Sequence, residues 1–285
     1  MRLLGLLKLR QTPLGRMTLG DARRGNRHQA IVVITRGARP GLCPSNADSF
    51  LCPFGPPVLQ VASQEAQFLA DCARHGFQAL LTAHVERAST KTFNVVAVAS
   101  GTNKSLAPVI VMTPRSGWWR CASERGGGLA CWLEIARVCE TPILLGTFYL
   151  LLQAVMSLVT WALTVSLGAG RDWCQRRRRG FISAPILAQL RGQVTPCRHP
   201  TMRWNRCWPR STRAGLTIDR RLPRGGVPRG EAENVHRGGG RYISIIGNND
   251  LFHNMSDRGA DAVDLTVIER FASAFAKVTT SLAGA

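Results

Sequence analysis

Two side chains in this sequence, an imidazole and a carboxylate, lie in short polar motifs and have the chemistry of zinc ligands. His253 lies in LFHNMSD and Glu124 lies in CASERGGG. Taken alone, a histidine in such a segment is more often a hydrogen-bonded surface residue, and Glu124 is a solvated carboxylate favoured by the dipole at a helix start. Two such residues do not make a catalytic zinc site, which needs three protein ligands and an activated water.

The cysteines do not form a metal site by their spacing. There are nine of them, no two form a C-x-x-C pair, and none lies beside a histidine at zinc-finger spacing. The set of Cys197, His199 and Cys207 is a poor match to any metal pattern. We therefore predict scattered, buried, reduced thiols.

The positive charge of the chain is concentrated in one segment. The 285 residues carry a net charge of +20, and residues 171–229 contain 15 arginines against two acidic residues. Arginines interleaved with Trp173, Trp204 and Trp208 raise the alternative of a nucleic-acid-binding protein. We rank this alternative last and do not expect a nucleic-acid partner, because no recognisable binding fold contains those residues.

The elements that must position any site alternate between strands and helices. Apolar, β-branched runs predict strands in HQAIVVIT, FNVVAVAS, APVIVMTP and GRYISIIG. Helical periodicity predicts helices in QEAQFLADCARHG, GGGLACWLEIARV and DAVDLTVIERFASAFAKVTTSLA. This order predicts an α/β fold, a mixed β-sheet flanked by helices, interrupted by a long apolar segment and a basic irregular segment.

The apolar segment reads GTFYLLLQAVMSLVTWALTVSLGAG and is followed by an arginine cluster. From Pro142 to Leu167 it contains no charged residue, which is long enough to span a bilayer. One alternative is therefore a single-pass membrane protein anchored by residues 143–167. Otherwise the N-terminus, which is not a convincing signal peptide, predicts a cytoplasmic protein.

Three blocks together resemble the co-catalytic zinc exopeptidases, the bacterial aminopeptidases and glutamate carboxypeptidases of metallopeptidase family twenty-eight. They are TFNVVAVASGTNKSLAPVIVMTPRSGWW, CASERGGGLACWLEIAR and RYISIIGNNDLFHNMSDRGADAVD. The resemblance implies a peptide substrate and two zinc ions, held by histidines and carboxylates, with a glutamate as general base on a bridging water. It also implies a domain order: an irregular N-terminus (1–19), the N-terminal part of a peptidase-like domain (20–138, with a candidate accessory subdomain at 28–65), the apolar segment (139–170), the basic irregular segment (171–214) and the C-terminal part (215–285).

Carried over residue by residue, the resemblance leaves the metal site incomplete. Pro-Arg-Ser at 114–116 stands where the family has its His-x-Asp ligands, and an arginine cannot bind a cation. Glu124 falls on the family's bridging aspartate, and His253 falls on its terminal histidine ligand. The resemblance thus implies Glu124 and His253 as metal ligands, zinc as the cofactor if any metal is bound, and no identified catalytic residue. The residues that it implies as lining the site are Arg115, Ser116 and Asp257.

The remaining ligands are expected between the second and third blocks, where no Glu-Glu or His-Glu pair occurs from Thr141 to Thr212. Back-translation of residues 146–161, shifted by two bases, permits a buried strand that runs into a His-Glu-x-x-His sequence. We therefore hypothesise that residues 139–212 are read in a shifted frame. In that case we expect the sheet to lack a central strand and the protein to be a degenerate, catalytically impaired zinc exopeptidase.

Overall fold

A computed structural model of the chain describes residues 2–8, 30–45, 56–84, 86, 88–106, 108–140, 144–154, 180–183, 195–198, 226–228, 230–237, 241–247 and 249–283. The chain divides into two compact units. Unit 1 comprises Met1–Lys91 and His253–Met255, and unit 2 comprises Thr92–Phe252 and Ser256–Ala285.

Unit 1 contains two small sheets and a helix. Its elements are β1 (Arg2–Lys8), β2 (Ile31–Ile34), β3 (Val58–Val61), α1 (Ala66–Arg74) and β4 (Gln78–His84). Strand β1 pairs antiparallel with β4, and β2 pairs parallel with β3. Helix α1 ends close to Gly76, whose φ of 68° lies in the left-handed region that a glycine adopts without a Cβ clash. The predicted helix and the strand before RGARPG are confirmed.

Unit 2 is built on one mixed sheet, as the sequence predicts, with six strands in the described ranges. Its elements are β5 (Val95–Ala99), β6 (Val109–Pro114), α2 (Ala122–Cys139), β7 (Phe148–Gln153), β8 (Gly180–Ser183), β9 (Thr195–Arg198), α3 (Glu231–Arg237), β10 (Arg241–Ile246) and α4 (Leu265–Leu282). The strand order is β5-β7-β6-β8-β10-β9. The pairs within β7-β6-β8-β10 are parallel, and the strand at each edge, β5 or β9, pairs antiparallel with its neighbour.

Both faces of the unit 2 sheet are covered by helices. Alternate residues of a strand point to opposite faces, and β6 is buried along its whole length. Val109 and Val111 pack in one apolar cluster with residues of α2 and α4. Ile110 and Met112 pack in a second cluster with Ala232 of α3. This burial on both sides explains why APVIVMTP is apolar throughout rather than alternating.

The apolar segment enters this sheet and is not helical where it is described. Strand β7 lies between β5 and β6, in register with both: Leu150 is opposite Ala97 on one side and Val111 on the other. The expectation that the sheet lacks a strand here is therefore wrong. The membrane-anchor alternative is also wrong for residues 148–153, because their backbone groups pair with strands instead of with a helix of their own. Within that predicted anchor, residue 143 and residues 155–167 lie outside the described residues.

Within the ranges given above, none of the helices has both the length and the apolar character needed to cross a bilayer.

The basic segment also contributes to the sheet, although its sequence shows no periodicity. Strand β8 pairs with β6 and β10, and β9 pairs with β10. Trp173, Trp204 and Trp208, on which the nucleic-acid alternative rests, lie outside the described residues.

Gly101 follows β5 and lies very close to the backbone just before β7. A Cβ on this residue would collide with the Leu145 carbonyl oxygen and the Gly146 backbone. We therefore expect Gly101→Ala to lower the free energy of unfolding by about 2 kcal/mol, since backbone atoms cannot move aside as a flexible side chain can. Urea denaturation of the purified chain measures this change.

Gly126 provides the matched control, because a Cβ there would meet nothing within 4 Å. It lies inside α2, so Gly126→Ala should raise stability by roughly 0.5–1 kcal/mol through helix propensity. Equal effects of the two substitutions would contradict the packing of residues 144–147 against the end of β5.

Candidate functional site

The candidate site lies where β6 ends and α2 begins. Arg115 and Ser116 follow β6 directly, and a short turn leads to α2. Two residues of this turn have left-handed backbone conformations that side chains seldom adopt, Trp119 with φ of 57° and Cys121 with φ of 40°. Strained residues of this kind often occur at binding or catalytic sites.

Glu124 and Arg125 form a buried ion pair in the first turn of α2. Nη2 of Arg125 lies 2.8 Å from Oε1 of Glu124, and their side chains are 5% and 1% exposed. The same guanidinium donates through Nε to the backbone carbonyl of Ser116. The interpretation of Glu124 as a solvated carboxylate is therefore wrong: it is buried, and a guanidinium neutralises it.

Asp257 closes the N-terminus of α2. Its carboxylate accepts from the backbone N–H of Ser123 at 2.6 Å and of Glu124 at 3.0 Å, and the residue is 1% exposed. The structure thus brings together Glu124 and Asp257, two of the residues that the resemblance implies. It also explains why α2 begins at Ala122, before the glycines that the sequence predicts as its opening, because the cap satisfies the donors of that earlier turn.

Glu231, the first residue of α3, is a further member of this polar group that sequence reasoning missed. Burial raises the pKa of its carboxyl, against the lowering effects of its own backbone N–H and of the Arg125 charge, while the Glu124 charge adds to the rise. Its Oε1 is buried without a hydrogen-bond partner in the part of the chain that is described. An acidic residue at a helix start is common in sequences, so nothing in GEAENVHR distinguished this one.

Arg115 is directed away from this group. Its Nη2 donates to the carbonyl oxygen of Phe93 at 2.6 Å, and its backbone N–H donates to Gln153 at 2.9 Å. The side chain thus links the end of β6 to the residues before β5. The backbone carbonyl oxygen of Ser116 accepts the hydrogen bond from the Arg125 side chain.

His253 belongs to unit 1, whereas Glu124 belongs to unit 2. Its Nδ1–H donates to the carbonyl oxygen of Pro44 at 2.7 Å, and its φ of 61° is left-handed. The next two residues hold the same loop: Asn254 donates to the Pro40 carbonyl at 3.2 Å, and Met255 donates to the Leu42 carbonyl at 3.3 Å. A metal-binding histidine often donates its other ring N–H in this way, so the role implied for His253 stays a prediction.

The donor set around Glu124 does not fit a zinc ion. Among the residues that the structure describes, no three His, Cys, Asp or Glu side chains come together as a metal ion would require. The positive charge beside the Glu124 carboxylate comes from the Arg125 guanidinium, which is always protonated and cannot ligate a metal ion. Zinc therefore stays an implication of the resemblance, and no chemical step at this site is assigned to it.

None of the five cysteines whose side chains the structure describes forms a disulfide, and three of them, Cys72, Cys131 and Cys139, are buried as predicted. Cys43 and Cys121 are only half-buried. Burial raises the pKa of Cys131 to about 12 and that of Cys139 to about 11, so both thiols stay protonated and unreactive at neutral pH.

Solved structures with a similar fold are peptidases. A precursor of a family twenty-eight peptidase from Shewanella amazonensis superimposes with a TM-score of 0.65 at 14% sequence identity, over 90% of this chain and 60% of that one. A zinc aminopeptidase from Bacillus subtilis gives a TM-score of 0.59 at 14% identity, over 89% and 63%. An aminopeptidase from an Aneurinibacillus species gives 0.57 at 15% identity, over 94% and 66%.

The similarity is one of fold. No protein-family profile matches the sequence, and neither does any curated protein. This chain spans less than two thirds of the length of each of the three peptidases. The chain has the aminopeptidase-like α/β fold that the three sequence blocks imply, with a mixed sheet flanked by helices.

Proposed function

We propose that the chain is a degenerate zinc exopeptidase-like protein, which keeps an aminopeptidase-like fold and has lost peptide hydrolysis. The observation that carries this proposal is the buried ion pair between Glu124 and Arg125. By the resemblance, Glu124 stands at the carboxylate that bridges two metal ions. Here one oxygen of that carboxylate accepts from a guanidinium at 2.8 Å.

A catalytic zinc site needs ligand lone pairs that face the metal and an open position for water. The Arg125 guanidinium takes up Oε1 of Glu124, and its fixed positive charge would repel a divalent cation placed beside the same carboxylate. In the Pro-Arg-Ser segment that stands where the family has its His-x-Asp ligands, the Arg115 side chain donates to the Phe93 carbonyl. The guanidinium beside Glu124 therefore acts against metal binding at that carboxylate.

If any turnover survives, the fold favours a peptide as the substrate and zinc as the metal, since the similar structures include a zinc aminopeptidase. The experiment is an assay of the purified full chain with added zinc. Aminoacyl anilides and glutamyl dipeptides are offered as substrates, and bound zinc is measured by mass spectrometry after gel filtration. We expect turnover at the level of a zinc-only blank.

His253→Ala and Glu124→Gln serve as matched variants in this assay. Both should give the same background rate as the parent chain, because no metal-dependent rate exists to be lost. Zinc bound at one or two equivalents, together with turnover that either substitution abolishes, would overturn the proposal and restore both residues as ligands.

A further inference from the structure

Arg125 is held in place by contacts with its neighbour in α2 and with the backbone that follows β6. Its Nη2 lies 2.8 Å from Oε1 of Glu124, and its Nε donates to the Ser116 carbonyl. The residue is only 4% exposed. One guanidinium therefore joins the buried Glu124 carboxylate of α2 to the backbone that follows β6.

Buried carboxylates require a counter-charge, because moving an ionised group out of water without a partner is strongly unfavourable. In a metallopeptidase the metal ions provide that charge. A guanidinium is always charged, as a metal ion is, but it is part of the chain and its planar N–H groups donate to several acceptors at once. The Ser116 carbonyl and the Glu124 carboxylate are both acceptors of this kind.

We propose that Arg125 takes the place of a metal ion as the fixed counter-charge of the Glu124 carboxylate, so that unit 2 keeps its fold without zinc. This inference rests on the proposed loss of the metal site. It goes further, because a chain that had merely lost its ligands would leave this carboxylate uncompensated.

The test is a set of thermal melts on the purified full chain, with Arg125→Met, Glu124→Gln and the double variant. Arg125→Met should lower Tm by roughly 10 °C, because it leaves the buried Glu124 carboxylate without its cation. The Tm loss of the double variant should be much smaller than the sum of the two single losses, since Glu124→Gln removes the buried charge that Arg125→Met leaves behind. Strictly additive losses would overturn the proposal.

Arg137→Met is the matched control on the same helix. Arg137 pairs with Glu134 at 2.7 Å, but its side chain is 69% exposed. An exposed pair of this kind contributes little, so the substitution should shift Tm by no more than about 2 °C. A loss as large as that of Arg125→Met would mean that burial of the guanidinium is not what matters, and would contradict the inference.

The metal arm of the test compares melts in chelator and in added zinc. The parent chain should show the same Tm in both. A zinc-induced rise in Tm that Glu124→Gln removes would overturn the inference, because it would place a metal where we place Arg125. An absence of activity would not by itself support the inference, so its failure and that of the proposed function are distinguishable.

Arg125→Lys covers the case in which Arg125→Met does not fold. A lysine keeps the charge but loses the planar fork, so Tm should fall by less than in Arg125→Met and the chain should stay zinc-independent. A lysine variant that melts at the same temperature as a folded Arg125→Met would contradict a role for the charge.

Discussion

Replacing Phe148 by alanine should lower the free energy of unfolding by about 4 kcal/mol, as measured by urea denaturation of the full chain. Phe148 begins β7 and is fully buried. It lies opposite Ala99 and Val109 in the sheet and packs in the apolar cluster with α2 and α4. The substitution removes most of a large apolar side chain and leaves a cavity that the surrounding strands and helices cannot fill.

Leu133→Ala is the control for this prediction. Leu133 lies on α2 with 60% of its surface exposed, so its truncation should change stability by no more than about 0.5 kcal/mol. Near-equal effects of the two substitutions would show that residues 148–153 are not part of the packed sheet. That result would revive the two interpretations that the strand pairing counts against, a membrane anchor and a segment with no place in the fold.

The predicted α/β architecture depends on short-range patterns that tertiary contacts reinforce. APVIVMTP predicts a strand because its apolar, β-branched residues suit a central position, and β6 is buried on both faces. The C-terminal periodicity predicts a helix, and α4 begins where the Asp264 carboxylate caps it. In both cases the local preference and the final environment agree, so the sequence alone was sufficient.

The apolar segment shows where such patterns fail. Hydropathy sums the apolar character of residues but contains no information on hydrogen-bond partners. The six residues of β7 find those partners in β5 and β6, at sequence separations of 57 for Val95↔Leu152 and 39 for Val109↔Phe148. A buried strand and the first part of a membrane helix are therefore indistinguishable in FYLLLQ.

The proximity of Glu124 and Asp257 was predictable from the resemblance, whereas the chemistry around them was not. Order and spacing of the sequence blocks implied Glu124 and Asp257 near one another, and the structure brings them together across 133 residues. The motif also contains Arg125, but a sequence does not reveal which way a side chain turns. Burial of Glu231 depends on how α3 packs, which is equally invisible in the sequence. Arg125 is the residue that pairs with Glu124 and balances its charge.

Replacing Asp257 by alanine should lower the free energy of unfolding by about 3 kcal/mol. The carboxylate accepts two charge-assisted hydrogen bonds from the first turn of α2, at 2.6 and 3.0 Å. Both donors belong to buried residues, Ser123 and Glu124, so water does not replace the lost acceptor. The loss is measured by urea denaturation with α-helix content followed by circular dichroism.

Asp264→Ala is the matched control, because Asp264 caps α4 in the ordinary way. It accepts one hydrogen bond, from the Val267 N–H at 3.1 Å, in an exposed position, so its loss should cost about 1 kcal/mol. The difference between the two caps isolates the contribution of burial and of the second donor. If Asp257→Ala is no more destabilising than Asp264→Ala, the Asp257 carboxylate does not cap α2. The contact between the third sequence block and the second would then not contribute to stability.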